Sequence, residues 1–533
     1  MRRGFARTAV SDVQRQKSRN YTFPAPTRGL VLNENLAQAG RAGAQVLDNW
    51  FPTQTSARLR AGSTRIATIG APVISMFNYA TATITNLFAA SDTALFDVSA
   101  VSSPTTVPTP VVTGQTSGYY SFQPFATVGG NFLYAVNGTD QPLVYDGGTW
   151  KKNDPTTQQS ISATGLDPKK LHHVFAFKNR LFFIERGSMN VWYLAVDSIY
   201  GTLKQLSLAG VFQRGGSLLT GGTWSLDTGS GLDDQAVFIS DQGEVAIYQG
   251  TDPSSATTWA IKGRYDITPP MGRRCLMSAG GDLLIGTRDG IVPLSEVLEK
   301  DSSALSLSAV TRTIEPAWKF DVTARGDKPW ELLKWPSMNM GIVSIPPVPG
   351  IVPYCYVVNL QTGAWARYTG WSTNCLAFHR SQAFFGTPDG TIMLAENGGS
   401  DDGAIYTSTY VGLPDHLRTI GRTKQIHSAR TVFVAGQPFT AQISIGADYS
   451  PDLPTPPSAS STPSGGSLWD VGLWDVAKWD GGAVKQVATR WSSIGSSGLV
   501  VLPQVQVTNG STVAPDAELI AFDLLYEVGG VMV

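Results

Sequence analysis

An internal repeat constrains this chain more than any other feature. The stretch Leu283-Leu284-Ile285-Gly286-Thr287-Arg288-Asp289-Gly290-Ile291-Val292-Pro293-Leu294 returns without a gap 100 residues later as Ala383-Phe384-Phe385-Gly386-Thr387-Pro388-Asp389-Gly390-Thr391-Ile392-Met393-Leu394. A third copy begins at Ala236, and looser relatives begin at Leu87, Phe132 and Leu181. Each copy reads as an apolar strand, a tight turn and an alternating strand. Asp289-Gly290 and Asp389-Gly390 suit the positive φ angles of a two-residue hairpin turn, because glycine has no Cβ to clash. The starts are separated by 45, 49, 55, 47 and 100 residues. A four-stranded propeller blade needs about 40–50 residues, so the last step spans two blades, with its missing hairpin expected at Tyr354–Tyr368.

A second element recurs as Gly147-Gly148-Thr149-Trp150, Gly221–Trp224 and Gln361-Thr362-Gly363-Ala364-Trp365. It reads as a glycine turn whose tryptophan opens the next strand. These repeats predict an all-β fold, a six- or seven-bladed β-propeller over residues 70–410. Residues 1–69 read as an N-terminal arm and irregular segment, and 411–533 as a small C-terminal β-domain with a mobile Pro/Ser-rich loop at 451–466. Pro503 makes Leu499–Val507 an edge strand at best.

Composition narrows the function. A chain of 533 residues holds several folding units, and 55 glycines and 32 prolines favour short strands over helices. The net charge of −1 gives no overall bias toward nucleic acid. Three cysteines without a CxxC pair argue against a disulfide framework or a thiolate metal site and fit folding in a reducing cytoplasm. No apolar run reaches the roughly 18 residues of a spanning helix, and no secretory signal follows Arg2 and Arg3.

The candidate residues are few. Six basic side chains, among them Arg2, Arg3 and Arg7, stand against Asp12 in the first twenty residues. They form either a solvated terminus or an arm for an acidic partner or DNA backbone. Trp469-Asp470, Trp474-Asp475 and Trp479-Asp480 recur every five residues, a period that fits neither helix nor strand. They read as a compact loop with buried rings or as an aromatic contact surface for a neighbouring subunit. His172-His173, if on a strand, point to opposite faces, and nothing around them spells a zinc motif. The acidic pairs Asp233-Asp234 and Asp401-Asp402 read as solvated turns or, alternatively, calcium ligands. No spacing selects the two carboxyls of a glycosidase, and no nucleophile elbow or P-loop occurs, so no catalytic residue, metal site or cofactor is expected.

The stretch Gly40-Arg41-Ala42-Gly43-Ala44-Gln45-Val46-Leu47-Asp48-Asn49-Trp50-Phe51-Pro52, followed by Leu59-Arg60-Ala61-Gly62, resembles the N-terminal signature of podovirus tail nozzle proteins. These are also called packaged-DNA stabilisation or tail tubular B-type proteins. Asn359–Tyr368, Phe385–Gly390 and the Trp-Asp segment 468–480 resemble their later regions. The resemblance implies a non-enzymatic virion protein made in the host bacterial cytoplasm. It would form a ring, typically a hexamer, that meets tail adaptor or portal-proximal proteins and tail fibres or spikes. DNA would be retained behind that ring and leave through its lumen without specific binding. Trp50, Phe51, Trp469, Trp474 and Trp479 are the candidate subunit-interface residues, although Trp50 and Phe51 equally suit a local core. The alternatives are a carbohydrate-binding or glycan-hydrolysing propeller and a cellular propeller scaffold.

Overall fold

In the computed structural model, residues 18–34, 41–154, 156, 159–227, 232–459 and 485–531 are described. The fold is all-β, as expected. Seven antiparallel sheets follow one another along the chain, six with four strands and the fifth with three, although the sixth continues into further strands. Their first strands are Ser75–Ala80, Ser121–Thr127, Leu171–Phe177, Leu218–Asp227, Leu276–Ala279, Glu331–Trp335 and Cys375–His379. The repeated hairpin is the second and third strand of each sheet, such as Asp282–Thr287 with Gly290–Pro293 and Gln382–Gly386 with Thr391–Leu394.

The turns differ in detail from the expectation. Only the glycine takes a positive φ, +145° at Gly290 and +81° at Gly390, while Asp289 and Asp389 do not. Neighbouring backbone enforces that choice, since a Cβ on Gly390 would lie 2.6 Å from the Ala71 carbonyl oxygen. The missing hairpin is Met340–Ser344 with Tyr354–Asn359. The Tyr354–Tyr368 stretch is instead the third and fourth strands of sheet 6, and a long loop hides the true hairpin from the repeat. Gly221–Trp224 is not a turn. It lies inside the strand Leu218–Asp227, where a Cβ on Gly221 would sit 2.8 Å from the Phe175 ring. Among the described residues sheet 5 has three strands, and the helices Leu294–Glu299 and Glu315–Arg325 follow it.

The N-terminal segment is not irregular. Of its strands Arg19–Pro24, Gly29–Leu30, Gly43–Asp48, Trp50–Pro52, Ala57–Leu59 and Thr64–Thr68, all but one pair with partners far away in sequence, and Trp50–Pro52 pairs with Ala57–Leu59. They are short and broken by proline and glycine, so no local periodicity marks them. Thr64–Thr68 forms the outer strand of sheet 7 beside Thr391–Leu394, which moves the start of the repeat region ahead of residue 70. Gly29, at φ +69°, lets its strand approach Trp365 so closely that a Cβ would stand 2.4 Å from the Trp365 carbonyl oxygen.

Residues after 405 join these N-terminal strands in a second β unit. One sheet orders Gln486–Gly498, Arg422–Ala435, Ala517–Val531, Ala57–Leu59 and Trp50–Pro52, with Arg19–Pro24 on Ala517–Val531. The other continues sheet 6 through Gly29–Leu30, Gly43–Asp48, Tyr406–Gly412, Val501–Asn509 and Ala441–Ala447. Val501–Asn509 is therefore interior, not an edge. Its ladder with Tyr406–Gly412 ends at Gln504, so the N–H that Pro503 lacks is not needed there. Of the loop expected at 451–466, residues 460–466 lie outside the described residues.

Trp50 and Phe51 fill the core of this unit. Trp50 is 0% exposed and stacks on Phe433 at 6.4 Å, and Phe51 is buried beside it. Burial within one chain removes both from the candidate subunit interface. Trp50→Ala should therefore lower unfolding free energy by about 3–5 kcal/mol, measured by urea denaturation. An interface role would instead leave that value unchanged and alter only the oligomeric state.

Candidate functional site

The first strands of all seven sheets line one cavity of 620 Å³. Two adjacent arginines span its end, at the starts of those strands. Arg274 donates from Nε and Nη2 to the Tyr120 carbonyl at 3.1 and 2.9 Å, and from Nη1 to the Ile74 carbonyl at 3.1 Å. It also bonds the Ser75 hydroxyl, and its Nη1 pairs with Glu331 Oε2 at 3.2 Å. One guanidinium thus links sheets 1, 2, 5 and 6. Arg273 donates to the carbonyls of His172 and Tyr119, the latter at 2.7 Å, and so reaches sheet 3. Both guanidiniums lie over the Tyr119 ring, at 4.2 and 4.3 Å.

The electrostatics of the pair are unequal. Burial opposes the charge on Arg274, but Glu331, together with Tyr119 and Cys375, outweighs it and holds that guanidinium above its ordinary value. Among the described residues Arg273 has no such carboxylate partner. Burial, with the nearby charge of Arg274, pulls its pKa down to about 10.

His172 and His173 stand beside Arg273. A bulge between Leu171 and His173 removes the strict alternation expected of a strand. Both rings therefore reach the same neighbouring strand, with Nε2 of His172 3.0 Å from the Leu219 carbonyl and Nε2 of His173 2.8 Å from that of Gly221. Burial pushes His172 down to about 3 and His173 to about 4, so both rings are neutral at pH 7.

A second polar cluster holds the two β units together, and the Asn49–Gly62 motif builds it. Asn49 sits at φ +64°, a conformation that asparagine tolerates better than most residues. Its Nδ2 donates to Thr369 Oγ1 at 2.7 Å and the Thr407 carbonyl at 2.8 Å, while Oδ1 accepts from Arg60 Nε at 2.7 Å. Arg60, wholly buried, forks onto Asp401 at 2.9 and 2.6 Å and lies 3.7 Å over the Tyr406 ring. Arg58 forks onto Glu396 at 3.0 Å through each nitrogen, and Tyr368 donates to the same carboxylate.

The acidic pairs face cations of the chain itself, and Asp233-Asp234 lies in the strand Leu232–Ser240, not in a turn. Asp401 holds Arg60, Asp402 meets Arg65 at 2.6 Å, and Asp234 meets Lys178 at 3.0 Å, so positive charge already occupies the positions calcium would take. The three cysteines are buried free thiols, with burial pushing Cys275 and Cys355 up to about 12. Trp469, Trp474, Trp479, Arg2, Arg3 and Arg7 lie outside the described residues. Sequence reasoning missed Arg273 and Arg274, whose only signal is a basic pair just ahead of a strand.

No protein-family model matches the chain, and no curated protein matches it significantly. Solved structures similar to it include "YCF48 bound to D1 peptide", at 12% identity and TM-score 0.36 over 69% of this chain and 97% of that one. "Structure of U3-55K" is similar at 11% identity and TM-score 0.34, over 63% and 98%. Among the described residues, no helix is long and apolar enough to cross a membrane.

Two measurements test this chemistry. Arg60→Met strands Asp401 and should cost about 3–5 kcal/mol of stability by denaturant unfolding. The histidines fix a pH dependence: they are neutral when folded but titrate near 6.5 when unfolded, so the unfolded state binds more protons in acid. Their stabilisation should be complete above pH 6.5 and fall steadily toward pH 4. A His172→Asn/His173→Asn double variant should flatten that part of the stability–pH curve.

Proposed function

We propose that this chain is a structural, non-enzymatic subunit of a short-tailed phage virion, in which copies form the tail nozzle ring that retains packaged DNA. We further propose that its seven sheets close into a seven-bladed propeller. Two features support closure: the cavity lined by the first strand of every sheet, and the N-terminal strand Thr64–Thr68 that completes sheet 7.

The observation that carries the nozzle reading is the Asn49–Gly62 motif. The residues of the resemblance, Asn49, Trp50, Arg60 and Gly62, are the ones whose geometry the fold demands. Asn49 and Arg60 knit the two β units, Trp50 fills the core, and a Cβ on Gly62 would lie 2.0 Å from the Ser400 carbonyl oxygen. A motif spent on architecture suits a structural protein.

The cavity itself is no DNA path. Arg274 crosses its end to bond three other sheets and so obstructs it. In this reading the DNA runs through the lumen between subunits. The glycosidase alternative needs two carboxyls flanking a scissile bond. Among the described residues lining the cavity the acidic one is Glu331, and Arg274 occupies it.

Mass photometry and negative-stain microscopy of the purified protein, alone and with the tail adaptor, test the proposal. A closed ring of about six copies is expected. A monomer under both conditions, or hydrolysis of any member of a glycan panel, would overturn it.

A further inference from the structure

The arginine pair leaves an excess positive charge at the end of the cavity. Glu331 faces Arg274, and its Oε2 also accepts the Leu376 amide at 3.2 Å. No carboxylate of the described residues forms an ion pair with Arg273. Its Nη1 and Nη2 reach backbone carbonyls, so its charge meets only carbonyl dipoles and the face of Tyr119. The neighbours supply no negative charge either: His172 and His173 are neutral, and Arg186 adds a further positive field. Beside Arg273, His172 Nδ1 is buried and lacks a hydrogen-bond partner. A half-buried cation without a counter-charge carries a desolvation cost, and a bound anion relieves it.

The space next to this charge is shaped for a molecule. Arg273 lines the 620 Å³ cavity, a volume within the roughly 300–1,000 Å³ of small-molecule sites. Phe77, Phe122, Phe175 and Phe378 contribute apolar wall. One uncompensated positive charge calls for one negative charge. A carboxylate supplies it with two oxygens in the plane of a guanidinium fork, whereas a phosphate dianion would bring a second charge that Arg273 does not answer.

We propose that this cavity binds a small organic monocarboxylate, its carboxylate on Arg273 and its apolar body against the phenylalanines. The site is a property of the single chain and stands whether or not copies assemble into a ring.

Phenylacetate is a suitable probe, with its neutral isostere phenylacetamide and inorganic phosphate as comparisons, read by isothermal calorimetry and thermal unfolding of the full chain. Phenylacetate should bind and raise the melting temperature, and the amide should bind about tenfold or more weakly, the loss of one charge-assisted contact. Arg273→Gln should abolish that difference. Because this variant also loses two carbonyl contacts, a second one leaves both arginines intact: Gly222→Val narrows the cavity where a Cβ has room, its nearest neighbour being Leu276 Cδ1 at 3.5 Å. It should abolish phenylacetate binding while the protein still unfolds cooperatively. No binding of phenylacetate at millimolar concentration, equal affinity for acid and amide, tighter binding of phosphate, or full retention in Gly222→Val would each overturn the proposal.

Discussion

The organisation of the repeat region turns on one guanidinium. Each of the seven sheets buries apolar side chains against its neighbours, but hydrophobic burial is not directional and does not by itself fix where the first strands begin relative to one another. Arg274 supplies that direction. Its nitrogens reach Ile74, Ser75, Tyr120 and Glu331, residues at or just before the first strands of three sheets, while its own backbone leads into a fourth. A buried arginine bonded this way tolerates little displacement, because every lost contact leaves a desolvated donor.

The same physics recurs at the junction of the two β units. Arg60 is wholly buried and Arg58 partly so, and each forks onto a carboxylate from the turns that follow sheet 7. Asn49 accepts a left-handed backbone to meet Arg60 from one side and Thr369 from the other. Such pairs add little net stability over apolar packing, yet removing one partner is expensive. They therefore specify how the second unit sits on sheets 6 and 7 more than they stabilise it. Around them Trp50, Trp365, Trp371 and Phe433 supply the apolar burial.

Much of the repeat region is legible in the chain itself. The hairpins at Leu283 and Ala383 announce themselves because a strand, a turn and a strand lie within a dozen residues, so their pairing is local. The sixth sheet escapes notice because nine residues separate Ser344 from Tyr354 and dilute the pattern. The N-terminal strands are invisible for a different reason. Gly29–Leu30 and Ala57–Leu59 are two and three residues long, and each pairs with a strand hundreds of residues away. The candidate site was less legible still, since Arg273 and Arg274 look like any basic pair and neither histidine reveals the bulge that turns it.

The sequence alone determined the all-β class and the repeated hairpin with its glycine turns, because these follow from short-range sterics and periodicity. Tertiary structure decided the rest. It made Trp50 a core residue, drew Thr64–Thr68 into the last sheet, and set an uncompensated Arg273 beside a neutral histidine pair at the end of a phenylalanine-walled cavity. Those outcomes depend on which distant strands meet, and the burial and charge environment of a side chain exist only once they have met.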